Sequence, residues 1–138
     1  MYAVDLRGKN AIVFGVANHR SIAWAVAELL GQAGARLALT YQNERLRQGV
    51  DKLAATLGNA LVLECDVTRD EHVEAVFKRV AEEMGSLSIL VHSVAYANRE
   101  DLGGDFSKTS REGFRVALEI SAFSLPMTKR KGLETWDK

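Results

Sequence analysis

Four short, nearly continuous apolar runs punctuate the chain: NAIVFGV (10–16), RLALTY (36–41), ALVLEC (60–65) and LSILVHSV (87–94). Strands covered on both faces read this way, whereas half-exposed strands alternate apolar and polar positions. Between the runs the apolar spacing lengthens to the helical period. Ile22, Val26, Leu30 and Ala33 share one face of a first helix, and Gly34 supplies the left-handed residue that ends it. A second stripe, Leu46, Val50, Leu53, Ala54 and Leu57, stops at Gly58-Asn59. Gly49 inside that stripe costs about 1 kcal/mol against alanine and weakens the helix. The capping box Thr68-x-x-Glu71 opens a third helix that buries Val73, Val76, Phe77 and Val80. Another box, Thr109-x-x-Glu112, opens a fourth helix through Phe114, Ala117, Leu118 and Ser121.

Strand and helix alternating in this way predict an α/β fold: a Rossmann-like, doubly wound parallel sheet with right-handed crossovers, truncated after about four strands. Residues 1–125 make up the incomplete domain on this reading, and 126–138 a divergent tail. Helical periodicity reaches about Leu125, Pro126 interrupts it, and PMTKRKGLETWDK brings no apolar strand. A fourth helix would ordinarily return the chain to a fifth strand. Without one, the fourth strand is expected at an exposed edge unless the tail or a partner covers it. The loop AYANREDLGGDFSK (95–108) is polar and long for this architecture, and connections of that length are more often functional than idle.

Composition narrows the classes without choosing a function. The 138 residues suit one domain, and 47% hydrophobic with 26% charged residues is a globular balance. Eighteen basic and eighteen acidic residues cancel, so net charge makes no case for nucleic acid or a membrane as partner. MYAVDLRGKN carries no apolar signal core, and no run approaches a membrane span. The single cysteine, Cys65, forbids an internal disulfide and fits a reducing cytoplasm; within ALVLEC it reads as a small buried hydrophobe.

Candidate chemistry sits after the strands. In open parallel sheets ligands bind beyond the carboxyl ends, where the strand order switches direction. After the first strand, Gly15 would admit a close backbone approach, and Ser21 at the helix start would either help hold a pyrophosphate or simply cap the helix. After the second, Gln42 stands where an acidic residue usually takes the adenosine ribose, and Arg45 would tolerate a 2′-phosphate, which leaves NAD and NADP both open. After the third, Asp66 is either a carboxylate for the adenine amine or a local turn residue. After the fourth, small residues from Ser93 to Ala97 would let a nicotinamide and its ribose lie flat. His92 reads as a hydrogen-bonded core histidine, and no metal-ligand spacing accompanies it.

The stretches GVANHRSIAWAVAELLGQAGARLALTYQNE, LECDVT, LVHSVAYA and TSREGFRVALEISAFSL closely resemble the bacterial NADH-dependent enoyl-acyl-carrier-protein reductases, divergent members of the short-chain dehydrogenase/reductase superfamily. The resemblance runs from about residue 5 to 125. It implies NADH as cofactor, an enoyl group carried on acyl carrier protein as substrate, a cytoplasmic setting and a homo-oligomer. By the same resemblance Gly15, Ser21 and Ile22 contact the pyrophosphate side, Gln42 the ribose, and Asp66 and Val67 the adenine. Ser93, Val94, Ala95 and Ile120 would line the nicotinamide side, with Ala95, Tyr96 and Ala97 bordering the substrate; the family usually has phenylalanine at the place of Tyr96. The family's catalytic tyrosine and lysine have no counterpart here. The tyrosines are Tyr2, Tyr41 and Tyr96, and Lys129 and Lys131 lack a tyrosine partner at the family's spacing. No catalytic residue is therefore assigned, and the chain by itself is expected to be inactive or feeble. A non-catalytic dinucleotide-binding or structural module is the alternative. An S-adenosylmethionine-binding domain fits less well, because Gln42 replaces the acidic residue it would want, and a receiver domain would want a lysine-bearing fifth strand.

Overall fold

The computed structural model describes residues 4–137; Tyr2 and Lys138, counted above, lie outside them. Each apolar run becomes a strand: β1 (Asn10–Phe14), β2 (Arg36–Tyr41), β3 (Leu61–Glu64) and β4 (Ile89–His92). They pair in parallel in the order β3-β2-β1-β4. The register sets Phe14 opposite both Thr40 and His92, so β1, β2 and β4 end level. Connections leave β1 in both directions across the sheet, and the switch falls between β1 and β4.

Continuous burial follows from helices on both faces. On one side α1 (Ile22–Gln32) and α2 (Glu44–Ala54) pack Ala23, Trp24, Ala27 and Val50 against Ala11, Val13, Leu37 and Leu39. On the other, α3 (Asp70–Met84) sets Val73, Val76, Phe77 and Val80 against Ile12, Phe14 and Ala38. Neighbouring strand residues thus enter opposite clusters, which makes both positions mostly apolar, with Thr40 of β2 the buried polar exception. No helix among the described residues is long and apolar enough to cross a membrane.

Several local expectations are corrected. The buried face of α1 is Ala23, Trp24 and Ala27, rotated from the predicted stripe, and Ile22 is 76% exposed. Ala23 and Ala27 let this helix lie close to the sheet beside Trp24, while Leu30 of the predicted stripe still packs, partly buried, against the core. Its end behaves as expected: Gly34 takes φ +98°, its N–H reaches the Gly31 carbonyl, and the Ala35 N–H reaches Leu30. Gly49 lies within α2 and faces open space, so the expected entropic weakness stands without any packing reason for glycine there.

Neither predicted capping box forms. Thr68 donates from its N–H and hydroxyl to Asp66 Oδ1, at 2.9 and 2.7 Å, while Glu71 pairs with Arg69. At the fourth helix the cap is one residue later: Ser110 Oγ accepts the Gly113 N–H at 2.9 Å. That helix, α4 (Arg111–Leu118), runs through a π turn (Glu119–Phe123) into α5 (Ser124–Lys131), so Pro126 does not end it. The wide turn restarts the hydrogen-bond ladder, and Pro126 then occupies the first turn of α5, where a missing N–H costs nothing. Phe114 and Leu118, through which the fourth helix was expected to run, are 53% and 48% exposed.

The tail also returns to the sheet. Leu87 and Trp136 form a parallel bridge just ahead of β4, with the Leu87 N–H donating to Thr135 and the Asp137 N–H donating to Leu87. Asp137 accepts from Ser88, and Lys131 is paired with Glu74 on α3.

Candidate functional site

Four loops converge where the strands end. Together with the π turn they enclose a cleft of about 530 Å³ lined by residues from every loop, among them Gly15, Gln42, Asp66, Ser93, Tyr96 and Ile120. Val67, Val94 and Ala95 complete the expected residues on its wall. Ser21, Ile22 and Ala97 are not on that wall. Ser21 Oγ is occupied within its own turn, donating to the Asn18 carbonyl at 2.7 Å and capping the Trp24 N–H at 3.4 Å. Ala97 lies half-buried beyond Tyr96.

Gly15 holds the junction together. It takes φ +98°, and a Cβ there would overlap the Ser93 carbonyl oxygen and press on Val94. The loops after β1 and β4 can meet only because this residue has no side chain. At the β3 end, Asp66 is held at two points: its carboxylate by Thr68 and its N–H by His72 Nδ1 at 3.2 Å. The Cys65 thiol beside it is buried, and that burial, reinforced by Asp66, pushes its pKa up to about 12. A thiol in that state is not a nucleophile near neutral pH.

At the β4 end His92 is a structural residue, as its apolar strand suggests. Its Nε2 lies 2.7 Å from Ser124 Oγ, which itself donates to the Ile120 carbonyl. With the hydroxyl proton committed, the ring is the donor and carries its hydrogen on Nε2. Burial holds its pKa below the ordinary histidine value.

Sequence reasoning missed Val16, Leu46, Cys65 and Thr68 as members of the wall, which Ala17 of the first loop also joins. Leu46 is read correctly as a residue of the α2 stripe, but spacing does not reveal that this stripe also borders the cleft. Ser121 was missed in another way. Its hydroxyl accepts the Tyr96 N–H at 3.0 Å and donates to the Tyr96 carbonyl at 3.1 Å, pinning the loop to the π turn.

Sheet order, crossovers and a cleft at the switch point define a Rossmann-like domain of the short-chain dehydrogenase/reductase class. Within that class the chain belongs to the enoyl-(acyl carrier protein) reductase family, whose model matches residues 15–136. The NADH enoyl-[acyl-carrier-protein] reductase FabI of Bacillus cereus is 50% identical over 128 residues, covering 91% of this chain and 50% of that protein. The NADPH enzyme FabI of Staphylococcus aureus is 44% identical over 124 residues, covering 88% and 48%. The chain therefore spans about half the length of the curated relatives it matches. Among solved structures, the NADH reductase of Aquifex aeolicus superimposes with a TM-score of 0.92 at 43% identity, over 96% of this chain and 58% of that one. The Bacillus cereus reductase solved with NADP+ and an indole naphthyridinone gives 0.91 at 47%, over 96% and 52%. Relatives are named for both nicotinamide cofactors, so family membership does not by itself select NADH.

Proposed function

We propose that this chain is the cofactor-binding half of an enoyl-acyl-carrier-protein reductase, with NADH as its dinucleotide and a cytoplasmic site of action. The observation that carries the reading is the single cleft on which the loops after all four strands meet. Its residues, together with Ser21, Ile22 and Ala97 outside its wall, suit the parts of a dinucleotide in order. Gly15, with Ser21 and Ile22 at the start of α1, serves the pyrophosphate, where the helix N-terminus favours negative charge. Gln42 serves the adenosine ribose with a neutral amide, and Asp66 with Val67 serves the adenine. Ser93, Val94, Ala95 and Ile120 serve the nicotinamide side, with Ala95, Tyr96 and Ala97 toward the substrate.

When bound, the reduced nicotinamide supplies a hydride for C3 of a trans-2-enoyl thioester, and a proton completes C2. The residues described above orient the cofactor, but none is placed to stabilise the enolate. Tyr41 is buried in the core, and that burial raises its pKa. Tyr96 has its hydroxyl 3.4 Å from Asn98 Oδ1, and Lys131 is engaged on α3 by Glu74. The chain alone is accordingly inactive or feeble. Phe114, Leu118, Phe123 and Leu125, all about half exposed on the α4–α5 side, support self-association of the kind the family implies.

Titration with NADH, following nicotinamide fluorescence, tests the binding reading; enhancement is expected, and a flat response at millimolar cofactor overturns it in favour of a structural module. Adding a crotonyl thioester tests the second part, and turnover near that of ordinary reductases would refute the claim of feeble activity.

A further inference from the structure

We infer that His72 is a positioning residue for the base-binding loop, acting through the backbone of Asp66; the inference rests on the cofactor reading above. The capping box read from the sequence assigns the back-reaching side chain at the start of α3 to Glu71. In the structure Glu71 is turned to Arg69, and the residue that reaches back is His72. Its backbone N–H donates to the Arg69 carbonyl, fixing it in the first turn of α3, and its half-buried ring accepts the Asp66 N–H at 3.2 Å through Nδ1.

This contact has a chemical consequence. Asp66 stands on the cleft wall between Cys65, which is buried, and Val67, which is buried on its far side. Its carboxylate is already turned by Thr68, and its carbonyl accepts the Arg69 N–H at 3.0 Å. The imidazole satisfies the last backbone group of the residue, so the peptide plane preceding Asp66 cannot rotate without orphaning a donor. The carboxylate that would receive the adenine amine is carried by Asp66, and its aim depends on that plane staying fixed. The role demands an Nδ1 lone pair, and hence the ring with its proton on Nε2. It assigns His72 to the adenine end of the cleft only, since the nicotinamide end is held by Gly15, Ser93 and Ser121.

The test compares the intact chain with H72A and H72N, titrating each separately with ADP and with reduced nicotinamide mononucleotide. Asparagine offers an acceptor at about the reach of Nδ1; alanine offers none. His72→Ala is expected to weaken ADP by about tenfold, the scale of one lost hydrogen bond in a binding loop. Reduced nicotinamide mononucleotide binding should be unchanged, which also reports that the variant is folded, and His72→Asn should restore ADP affinity to within about twofold. ADP binding by H72A equal to that of the unaltered chain overturns the assignment of His72 and leaves the cofactor reading standing. Equal weakening toward both ligands overturns it as well, because the effect would then be general. An unaltered chain that binds neither ligand overturns the cofactor reading and the assignment together.

Discussion

At residue scale the most constrained position is Gly15, and the constraint comes from a neighbour far away in sequence. The residues quoted around it suggest close approach by a ligand phosphate. The structure adds that the backbone already approaching is the chain's own Ser93 carbonyl. A Gly15→Ala substitution adds a methyl group at a positive φ directly into that oxygen, and neither backbone segment can yield without breaking β1–β4 pairing. We expect a loss of about 3 kcal/mol, combining left-handed strain with overpacking, measured as a shift in the urea midpoint. A variant as stable as the unaltered chain would show that the loops can separate. His92 allows a second residue-scale expectation. Because its folded pKa is depressed by burial, the unfolded chain binds the extra proton first as the pH falls. Stability from this group is complete above its ordinary value of 6.5 and is lost as pH falls through the depressed folded value. A His92→Gln variant, which keeps a donor for Ser124 without the titration, should lose less stability than the unaltered chain between about pH 7.5 and 5. Parallel losses in the two proteins would assign the acid sensitivity elsewhere.

At the scale of elements, legibility depended on how far apart the deciding residues lie. The apolar runs that became β1–β4 are self-contained signals, since burial on both faces favours apolar residues in succession, with Thr40 as a buried exception. The Gly34 helix end is equally local. Caps were less legible, because Ser, Thr and Asp all compete for the same free N–H groups. At α3 Asp66 captured Thr68, and at α4 Ser110 displaced its neighbour Thr109. The inner face of α1 was only partly legible: Leu30 packs against the core as expected, but the buried positions are Trp24 and the small Ala23 and Ala27, outside the predicted stripe. The π turn has no sequence signal at all; it carries Ser121 and Ile120, which reach Tyr96 and the cleft, and leads into Ser124, which meets His92. Gly49 is where sequence and structure agree on a weakness. It sits mid-helix in α2 with nothing within 4 Å of an added Cβ. Replacing it with alanine should therefore raise stability by about 1 kcal/mol through lower unfolded-state entropy, read as an increased midpoint with unchanged slope. A decrease would mean that this helix meets something in the native assembly.

At the scale of the molecule, the open question left by the sequence was the edge of the sheet. PMTKRKGLETWDK contains no strand pattern, and its described residues form none; they meet the sheet in one parallel bridge just ahead of β4 instead. That bridge depends on distant packing that no local pattern encodes. Gly132 lies against the Phe77 ring, where even a Cβ would come within 2.5 Å, and so brings the tail down beside α3. Trp136 then packs half-buried against the cluster of Ile12, Phe14 and Phe77, and its neighbours exchange hydrogen bonds with Leu87, a residue wholly sealed from solvent. If the indole is what holds the tail, removing it must release the backbone as well. Trp136→Ala is expected to cost about 2 kcal/mol, less than a fully buried tryptophan because part of the ring is already wet. More tellingly, the Leu87 amide should lose protection against hydrogen exchange, while amides at the centre of β1 keep theirs until global unfolding. Stability lost without faster exchange at Leu87 would mean that the strand-edge bridge stands by itself. The tail would then hold to Leu87 through its backbone, with the tryptophan merely filling space over the core.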